Sequence, residues 1–217
     1  MSSNEPKRTG RPADEAKREA ILAAAAASFF EHGFAASSIE QIAADAGVSK
    51  VTIYNRFGDK RALFAAAVEV ECEQIRGSLQ VPEVASGSLR DRLTAVGEAM
   101  VAFTARPKMV QFERRIAAET EYDPAVGEAF LEAGPHRMKE SFAALIAAMH
   151  EAGEVDVADP ALAAEQFAGM CKGMGDLERR FGAPADPQRN RERIAGAVEV
   201  FCRAYARDPS CETEAGS

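Results

Sequence analysis

Six side chains within two helical turns carry groups that can read a DNA duplex. They are Lys50, Val51, Thr52, Tyr54, Asn55 and Arg56. The methyl groups of Val51 and Thr52 suit the C5 methyl of thymine, and an asparagine amide can bridge N6 and N7 of adenine. Lysine and arginine reach guanine acceptors or phosphates, and a tyrosine hydroxyl suits a phosphate contact that sets the register. The segment therefore predicts a DNA-contacting surface.

Two short helices joined by a tight turn would present this surface. The segment 38–57, SIEQIAADAGVSKVTIYNRF, begins with the i, i+3, i+4, i+7 apolar spacing of one helix face. Ser38 and Ser49 are predicted N-caps, and Gln41 is placed to complete a capping box with Ser38. Gly47 suits a left-handed position between the two helices. The pattern is that of a helix-turn-helix, whose second helix enters the major groove.

Lys60 lies in the first turn of the following helix, where its ammonium could touch the DNA backbone although it opposes the helix dipole. Spacing alone also permits an ordinary helical hairpin with a solvated polar face, since such hairpins are common.

The stretch from Ile21 to Phe64 resembles the N-terminal domain of the TetR family of bacterial transcriptional regulators. The matching residues are Ile21-Leu22, Ala24-Ala25, Phe29, Gly33-Phe34, Ile39, Ile42-Ala43, Ala46-Gly47-Val48-Ser49, Thr52-Ile53-Tyr54, Phe57, Lys60 and Leu63-Phe64. Two positions depart from the family pattern: Val51 stands where glycine is frequent, and Ser28 where an apolar residue is frequent. Because Val51 changes the groove-facing surface, the base preference does not carry over from relatives.

Composition and charge favour an all-α chain with a specific DNA-binding function. The 217 residues are 47% apolar with a net charge of −8, and no convincing period-2 segment predicts a strand. Residues 1–61 carry nine Lys/Arg and eight Asp/Glu, a net charge of +1, which leaves −9 for the remainder. A near-neutral head on an acidic body orients the head toward DNA, and a nonspecific polyelectrolyte binder would be far more basic.

Other classes of site find little support. The cysteines Cys72, Cys171, Cys202 and Cys211 are scattered, without metal-ligand spacing, and are expected to be reduced thiols in a cytoplasmic protein. The longest apolar run, 20–30, is too short to span a bilayer, so no membrane association is expected. We find no catalytic motif, phosphate loop or dinucleotide fingerprint, so no enzyme activity, metal or cofactor is expected.

The N-terminal residues 1–12 form a predicted flexible basic arm. They have no helical period, and Gly10-Arg11-Pro12 resembles the core of an AT-hook. Arg8 and Arg11 could enter a narrow A·T minor groove, where the potential is most negative. A solubilising tail without DNA contacts is the equally weighted alternative.

The rest of the chain reads as a series of helices. One is expected from about Lys60 to Gln80, followed by a loop over 81–88 and a helix from Leu89. Pro107 and three Asp-Pro pairs open later helices because proline is tolerated in the first turn. A break is expected at Gly134-Pro135. The segment 112–135 also resembles the C-terminal domain of AefR-like regulators.

Apolar stripes on the last two helices predict a homodimer interface. The expected contacts are Phe167, Gly169, Met170, Gly173, Met174, Leu177, Phe181, Ile194, Val198, Phe201 and Tyr205. Both faces could instead be filled within one subunit, but the TetR resemblance implies that the final two helices pair with those of a second subunit. A two-fold dimer would read a roughly palindromic operator.

The central helices are expected to enclose a cavity for a small-molecule effector, as the resemblance implies. The predicted lining is Met100, Phe103, Met109, Phe112, Arg115, Ile116, Glu119, Phe130, Met138, Phe142, Gln166, Met170 and Met174. Met and Phe suit an adaptable apolar cavity, although each residue taken alone reads as core. A buried Glu119 would need an internal arginine or a cationic effector as its partner.

The sequence thus predicts an all-α protein with an N-terminal three-helix, helix-turn-helix DNA-binding domain (13–62) and a larger helical ligand-binding and dimerisation domain (63–207), followed by a disordered tail (208–217). The expected function is that of a dimeric transcriptional repressor released from its operator by a small molecule. A thiol-responsive or effector-independent regulator is the alternative, and an enzyme on an all-α scaffold is disfavoured.

Overall fold

The computed structural model describes residues 11–79 and 87–207, with side chains for 14–73 and 87–207. Its helices are α1 (Arg11–Ala36), α2 (Ile39–Asp45), α3 (Lys50–Phe57), α4 (Lys60–Leu79), α5 (Leu89–Thr104), α6 (Pro107–Glu119), α7 (Pro124–Ala133), α8 (Pro135–Glu151), α9 (Pro160–Arg180) and α10 (Pro187–Tyr205). Within the described ranges the only pairing of extended backbone is an isolated bridge between Val155 and Ala206. The all-α prediction is therefore confirmed.

Helix starts follow the predicted proline signals. Asp159 accepts a hydrogen bond from the N–H of Leu162 at 3.0 Å, and Asp186 caps α10 in the same way. Asp123 differs, because it forms no cap bond and instead pairs with Arg61 of α4 at 2.9 Å. The expected break at Gly134-Pro135 separates α7 from α8.

The first helix starts earlier than expected. Arg11 is the first residue of α1, so the helix takes in the last two residues of the predicted arm. Residues 1–10 with Arg8, most of the predicted 81–88 loop, and the tail with Cys211 lie outside the described residues.

The buried side chains form two clusters, one of which includes residues on both sides of the predicted boundary at 62–63. One cluster joins α1–α4 to Phe103 of α5 and to residues of α6 and α7, including Phe112 and Ile116. The other lies among α5, α8, α9 and α10, around Phe167 and Phe201. We call α1–α3 the head and α5–α10 the body, and α4 connects them. Because the first cluster includes residues of head and body, side chains of α6 pack in the same core as side chains of α1.

Candidate DNA-binding surface, effector cavity and dimer face

The helix-turn-helix has the capping predicted for it, with one exception. Ser38 accepts from the N–H of Gln41 at 3.5 Å, and Ser49 accepts from the N–H of Thr52 at 3.2 Å. Gly47 has a φ of +66° between the helices. The Gln41 side chain bonds Asp45 at 2.7 Å rather than the Ser38 backbone, so the capping box is only half formed.

The exposed face of α3 carries the side chains of Val51, Tyr54 and Asn55, and the Lys50 ammonium lies 5.7 Å from the centre of the Tyr54 ring. Val51 is 65% exposed and Tyr54 39% exposed, and Asn55 is exposed beside them. Ile53, in contrast, is fully buried and anchors the helix to the core. Thr52 is half-buried, and its hydroxyl lies 2.9 Å from that of Ser49.

The two cations of α3 are engaged with carboxylates of the head. Lys50 pairs with Glu40 of α2, and Arg56 pairs with Asp14 of α1. The Lys50 ammonium holds the pKa of Glu40 down to about 2, mainly through their hydrogen bond. A DNA phosphate therefore has to compete with these carboxylates for both cations.

Lys60 is turned toward the end of α1. Its ammonium donates to the carbonyl oxygen of Ala35 at 3.1 Å and lies 4.7 Å from the centre of the Phe34 ring. Burial lowers the pKa of Lys60. In this position the side chain stabilises the C-terminal end of α1, so its DNA contact would have to be made from a partly buried site.

The same end of α1 meets the body helix α6 at what we call the α1–α6 joint. Gly33 interrupts helical geometry with φ +84° and ψ −178°. Arg115 donates to the carbonyl oxygen of Phe30 at 2.8 Å, and Glu119 accepts from the N–H of Ala35 at 2.9 Å. A Cβ atom at Gly33 would lie 2.3 Å from Oε1 of Glu119. The break thus frees backbone groups that α6 then binds.

A cavity of about 530 Å³ lies among α4–α9 and reaches α1. Of the predicted lining, it contacts Met100, Phe103, Met109, Phe112, Phe130, Met138 and Phe142. Phe30 of the head also lines it, and its ring stacks on Phe112 with centroids 4.0 Å apart. The remaining lining is Val68, Cys72, Val96, Thr104, Glu113, Pro135, His136, Lys139, Ala164, Glu165, Ala168, Gly169 and Lys172. Sequence spacing marked the seven predicted residues as inward but could not show which helices would face them.

Six residues predicted to line the cavity lie elsewhere. Arg115 and Glu119 hold the α1–α6 joint, and Ile116 is buried in the core that α1 and α6 share. The other three are on α9: Gln166 and Met170 line a groove between α9 and α10, and Met174 is 61% exposed. The partner of Glu119 is a backbone N–H, neither of the two partners that were expected.

The predicted dimer stripe is divided between the core and the outer surface. Phe167, Ile194, Val198 and Phe201 are at most 4% exposed within the single chain, which corrects their assignment to the interface. Met174, Leu177 and Phe181 are exposed, and Val200 adds a fourth exposed apolar side chain on α10. Gly169, Met170 and Tyr205 line the neighbouring groove. On α9 the change from buried Phe167 to exposed Met174 coincides with Gly173, where φ is +48° and the backbone departs from helical geometry.

The described cysteines are buried thiols. Cys72, Cys171 and Cys202 are at most 5% exposed, and burial raises the pKa of Cys171 to about 12. Across residues 11–79 and 87–207, no helix is long and apolar enough to cross a bilayer. Within the same ranges, no group of three His, Cys, Asp or Glu side chains could hold a metal ion.

Comparison with known protein families agrees with this geometry. Residues 21–67 match the model of the N-terminal domain of bacterial regulatory proteins of the tetR family. Residues 91–207, more than half of the chain, match the C-terminal domain of AefR-like transcriptional repressors. The chain belongs to the TetR family. Members of this family are transcriptional regulators and not enzymes.

Similar TetR-family structures cover almost the whole chain. The flavonoid-responsive regulator FrrA is 31% identical, with a TM-score of 0.71 over 88% of this chain and 97% of its own. A regulator from Mesorhizobium loti is 27% identical, with a TM-score of 0.74 over 90% and 98% of the two chains.

Among curated proteins, the repressor SCO4008 of Streptomyces coelicolor is 44% identical over 25% of this chain. The curated relatives are matched over only 27% to 42% of their own lengths.

Proposed function

We propose that this TetR-family regulator is a homodimeric repressor whose α3 helices read a palindromic operator and whose cavity binds a small apolar effector that releases the DNA. The observation that carries the proposal is the exposed face of α3, where Val51, Tyr54 and Asn55 stand on a short capped helix after a tight turn. Methyl, hydroxyl and amide groups in this arrangement suit base edges and phosphates of the major groove.

The dimer is supported by the exposed apolar side chains of α9 and α10. Met174, Leu177, Phe181 and Val200 are 46–85% exposed in the single chain, and an apolar patch of this kind is typical of an interaction surface. A second copy presenting the same patch across a two-fold axis would cover it and would set the separation of two heads. Monomers in sedimentation at micromolar concentration would contradict this part of the proposal.

The effector is supported by the apolar wall of the cavity and by the flavonoid response named for the 31% identical relative. A ligand that separates Phe30 from Phe112 would act on the head directly, because Phe30 belongs to α1. Arg115 and Glu119, one and two turns beyond Phe112 on α6, would carry the same movement to the end of α1. A coupling free energy of about 1–3 kcal/mol between cavity and operator would be ordinary.

The thiol-responsive alternative loses support at the three cysteines that the structure describes. A reactive thiol needs exposure and a lowered pKa, whereas Cys171 is buried and its pKa is raised to about 12. Cys72 and Cys202 are also buried.

The direct test is selection of bound duplexes from a random pool, followed by a footprint. We expect a palindromic site, with Asn55→Ala weakening binding and relaxing the preference at one base pair in each half-site. Tyr54→Ala should weaken binding equally across sequences, because a phosphate contact carries no base information. A chain without preference for any duplex at low ionic strength would refute the proposed function.

A further inference from the structure

The charged side chains that line the cavity fall into two groups. His136, Lys139 and Glu165 form a rim on α8 and α9, and two of them pair with each other, Lys139 with Glu165 at 3.5 Å. His136 has its own partner, Glu132, at 2.9 Å. The second group is Glu113 of α6 with Lys172 of α9. The charges of the rim are therefore largely neutralised by these pairs.

Glu113 is a desolvated carboxylate with little hydrogen bonding. Its side chain is 19% exposed, and its ion-pair partner, Nε of Arg180, is 3.4 Å away. Arg180 is engaged more closely with Asp176, at 2.9 Å. Within the described part of the chain no group donates a hydrogen bond to Glu113, and burial raises its pKa. A carboxylate in such a setting gains from a donor that a ligand supplies.

The charges around Glu113 restrict what that donor can be. Arg179, Arg180 and Lys172 face it from α9, together with the carboxylate of Asp176. An ammonium group would be attracted by Glu113 and Asp176 and repelled by the three cations, and a carboxylate would meet the reverse, so attraction and repulsion largely cancel for either ion and leave its desolvation cost uncompensated. A neutral hydroxyl avoids this cost and still donates to Glu113.

The apolar part of the cavity wall indicates the shape and polarity of the rest of the ligand. Phe103, Phe112, Phe130 and Phe142 surround the cavity together with Phe30, and the rings of Phe112 and Phe130 meet edge to face at 5.6 Å. Such a wall favours a flat aromatic body that can pack against ring faces and edges.

We propose that the effector is a neutral hydroxylated aromatic molecule whose rings lie among these phenylalanines and whose hydroxyl donates to Glu113. The inference rests on the proposed function, since it assigns the chemical class of ligand for the same cavity. It makes Glu113 the residue that distinguishes a hydroxylated ligand from its unhydroxylated analogue, because a polar group left unpaired disfavours the analogue.

The test is titration of the full chain with three probes of one skeleton. They are flavone and two isomeric hydroxyflavones, one hydroxylated on the fused ring and the other on the pendant phenyl ring. We expect one hydroxyflavone to bind about tenfold more tightly than flavone, which corresponds to ~1.4 kcal/mol. Glu113→Leu should abolish this preference. Glu113→Gln, which keeps an uncharged acceptor, should reduce the preference to about threefold.

Glu140→Leu is the matched control, since Glu140 is an exposed glutamate of α8 outside the cavity lining, and it should keep the full preference. If flavone binds as tightly as both hydroxyflavones, or if the preference survives at Glu113→Leu, the inference is overturned. Should Glu113→Leu fail to fold, an undiminished preference at Glu113→Gln overturns it as well.

Operator binding of the wild-type chain, measured in parallel without ligand, separates the two proposals. Sequence-specific DNA binding combined with no binding of any of the three probes overturns the ligand class and leaves the DNA-binding function standing. If the wild-type chain shows no sequence-specific DNA binding, the proposed function is refuted. A probe preference that depends on Glu113 would still identify the ligand subsite in that case.

Discussion

The carboxylate of Glu119 reaches from α6 to the N–H of Ala35 in α1, with 2.9 Å between Oε2 and the nitrogen. Two residues earlier, Gly33 leaves helical geometry and brings its α carbon against the same carboxylate. Arg115 adds a bond to the carbonyl oxygen of Phe30. A cation and an anion of one body helix thus bind the backbone of the first head helix, and the conformation of Gly33 is what makes room for them.

Gly33→Ala should destabilise the chain and loosen this joint. Gly33 has φ +84° and ψ −178°, a region essentially restricted to glycine, and a Cβ atom would lie 2.3 Å from Oε1 of Glu119. We expect a loss of about 2–3 kcal/mol in unfolding free energy, or roughly 5–10 °C in Tm for a chain of this size. Thermal unfolding followed by circular dichroism measures it.

Gly153→Ala is the control for that substitution. Gly153 also has a positive φ, +77°, but its Cβ would meet nothing within 4 Å. Gly153→Ala should lower the free energy of unfolding less than Gly33→Ala does. The double variant Gly33→Ala with Glu119→Ala should lose less unfolding free energy than the sum of the losses in the two single variants. If the two glycine variants lose the same unfolding free energy, and the effects of Gly33→Ala and Glu119→Ala add, then the close approach of Gly33 to Glu119 has no energetic consequence.

Removing the carboxylates that hold the α3 cations should strengthen DNA binding. Glu40→Gln releases Lys50, and Asp14→Asn releases Arg56. Each freed cation can add one phosphate contact, so the slope of log K against log salt should steepen by about 0.9. We expect operator affinity at low salt to rise roughly 3–10-fold, because each substitution removes a negative charge that competes with the DNA phosphates for an α3 cation. Anisotropy titrations over a salt series measure both quantities.

Glu98→Gln is the matched control for charge, because Glu98 lies exposed on the body helix α5. It should leave the salt slope unchanged. Unchanged slopes for Glu40→Gln and Asp14→Asn would show that Lys50 and Arg56 do not reach phosphates.

The body helices could be predicted because residues close in sequence determine where each of them begins and ends. The Asp-Pro pairs at 159–160 and 186–187 and the Gly-Pro pair at 134–135 begin or separate helices through capping and through the missing proline N–H. The all-α class and the helix-turn-helix followed from the same kind of local signal.

The cavity and the dimer face could be predicted only in part, because they depend on how helices pack. Helical spacing indicates that Phe112 and Glu119 point inward but not that one lines the cavity and the other binds Ala35. The apolar spacing on α9 predicts one continuous stripe, yet the break at Gly173 leaves Phe167 in the core and Phe181 outside. A glycine within a helical pattern does not reveal whether the helix continues through it.

Phe181→Glu should dissociate the proposed dimer. Phe181 is 85% exposed in the single chain, and a glutamate there would place a charge inside an apolar interface and face its own copy or a neighbouring apolar side chain. We expect the dissociation constant to rise at least tenfold in sedimentation, with helix content unchanged. Tyr122→Glu is the control, since Tyr122 is equally exposed, at 89%, in the turn after α6. Equal effects of the two substitutions, or none from Phe181→Glu, would remove Phe181 from the interface.

Glu113 should make the stability of the chain depend on pH in a direction opposite to that of a paired carboxylate. Burial raises its pKa above the ordinary 4.5, so its favourable contribution is present below pH 4.5 and is lost as pH rises through the folded-state pKa. Arg180, Lys172 and Arg179 oppose this shift and Asp176 adds to it. Glutamine does not titrate, so the Tm of Glu113→Gln minus that of the wild type should become more positive from pH 4 to pH 7. Asp176→Asn removes a carboxylate that raises the pKa of Glu113 and releases Arg180 and Arg179, which lower it, so this variant should show a weaker pH dependence from Glu113. A difference that becomes more negative over that interval would mean that the Arg180 pair, rather than burial, governs this carboxyl, because a paired carboxylate gains stability as pH rises.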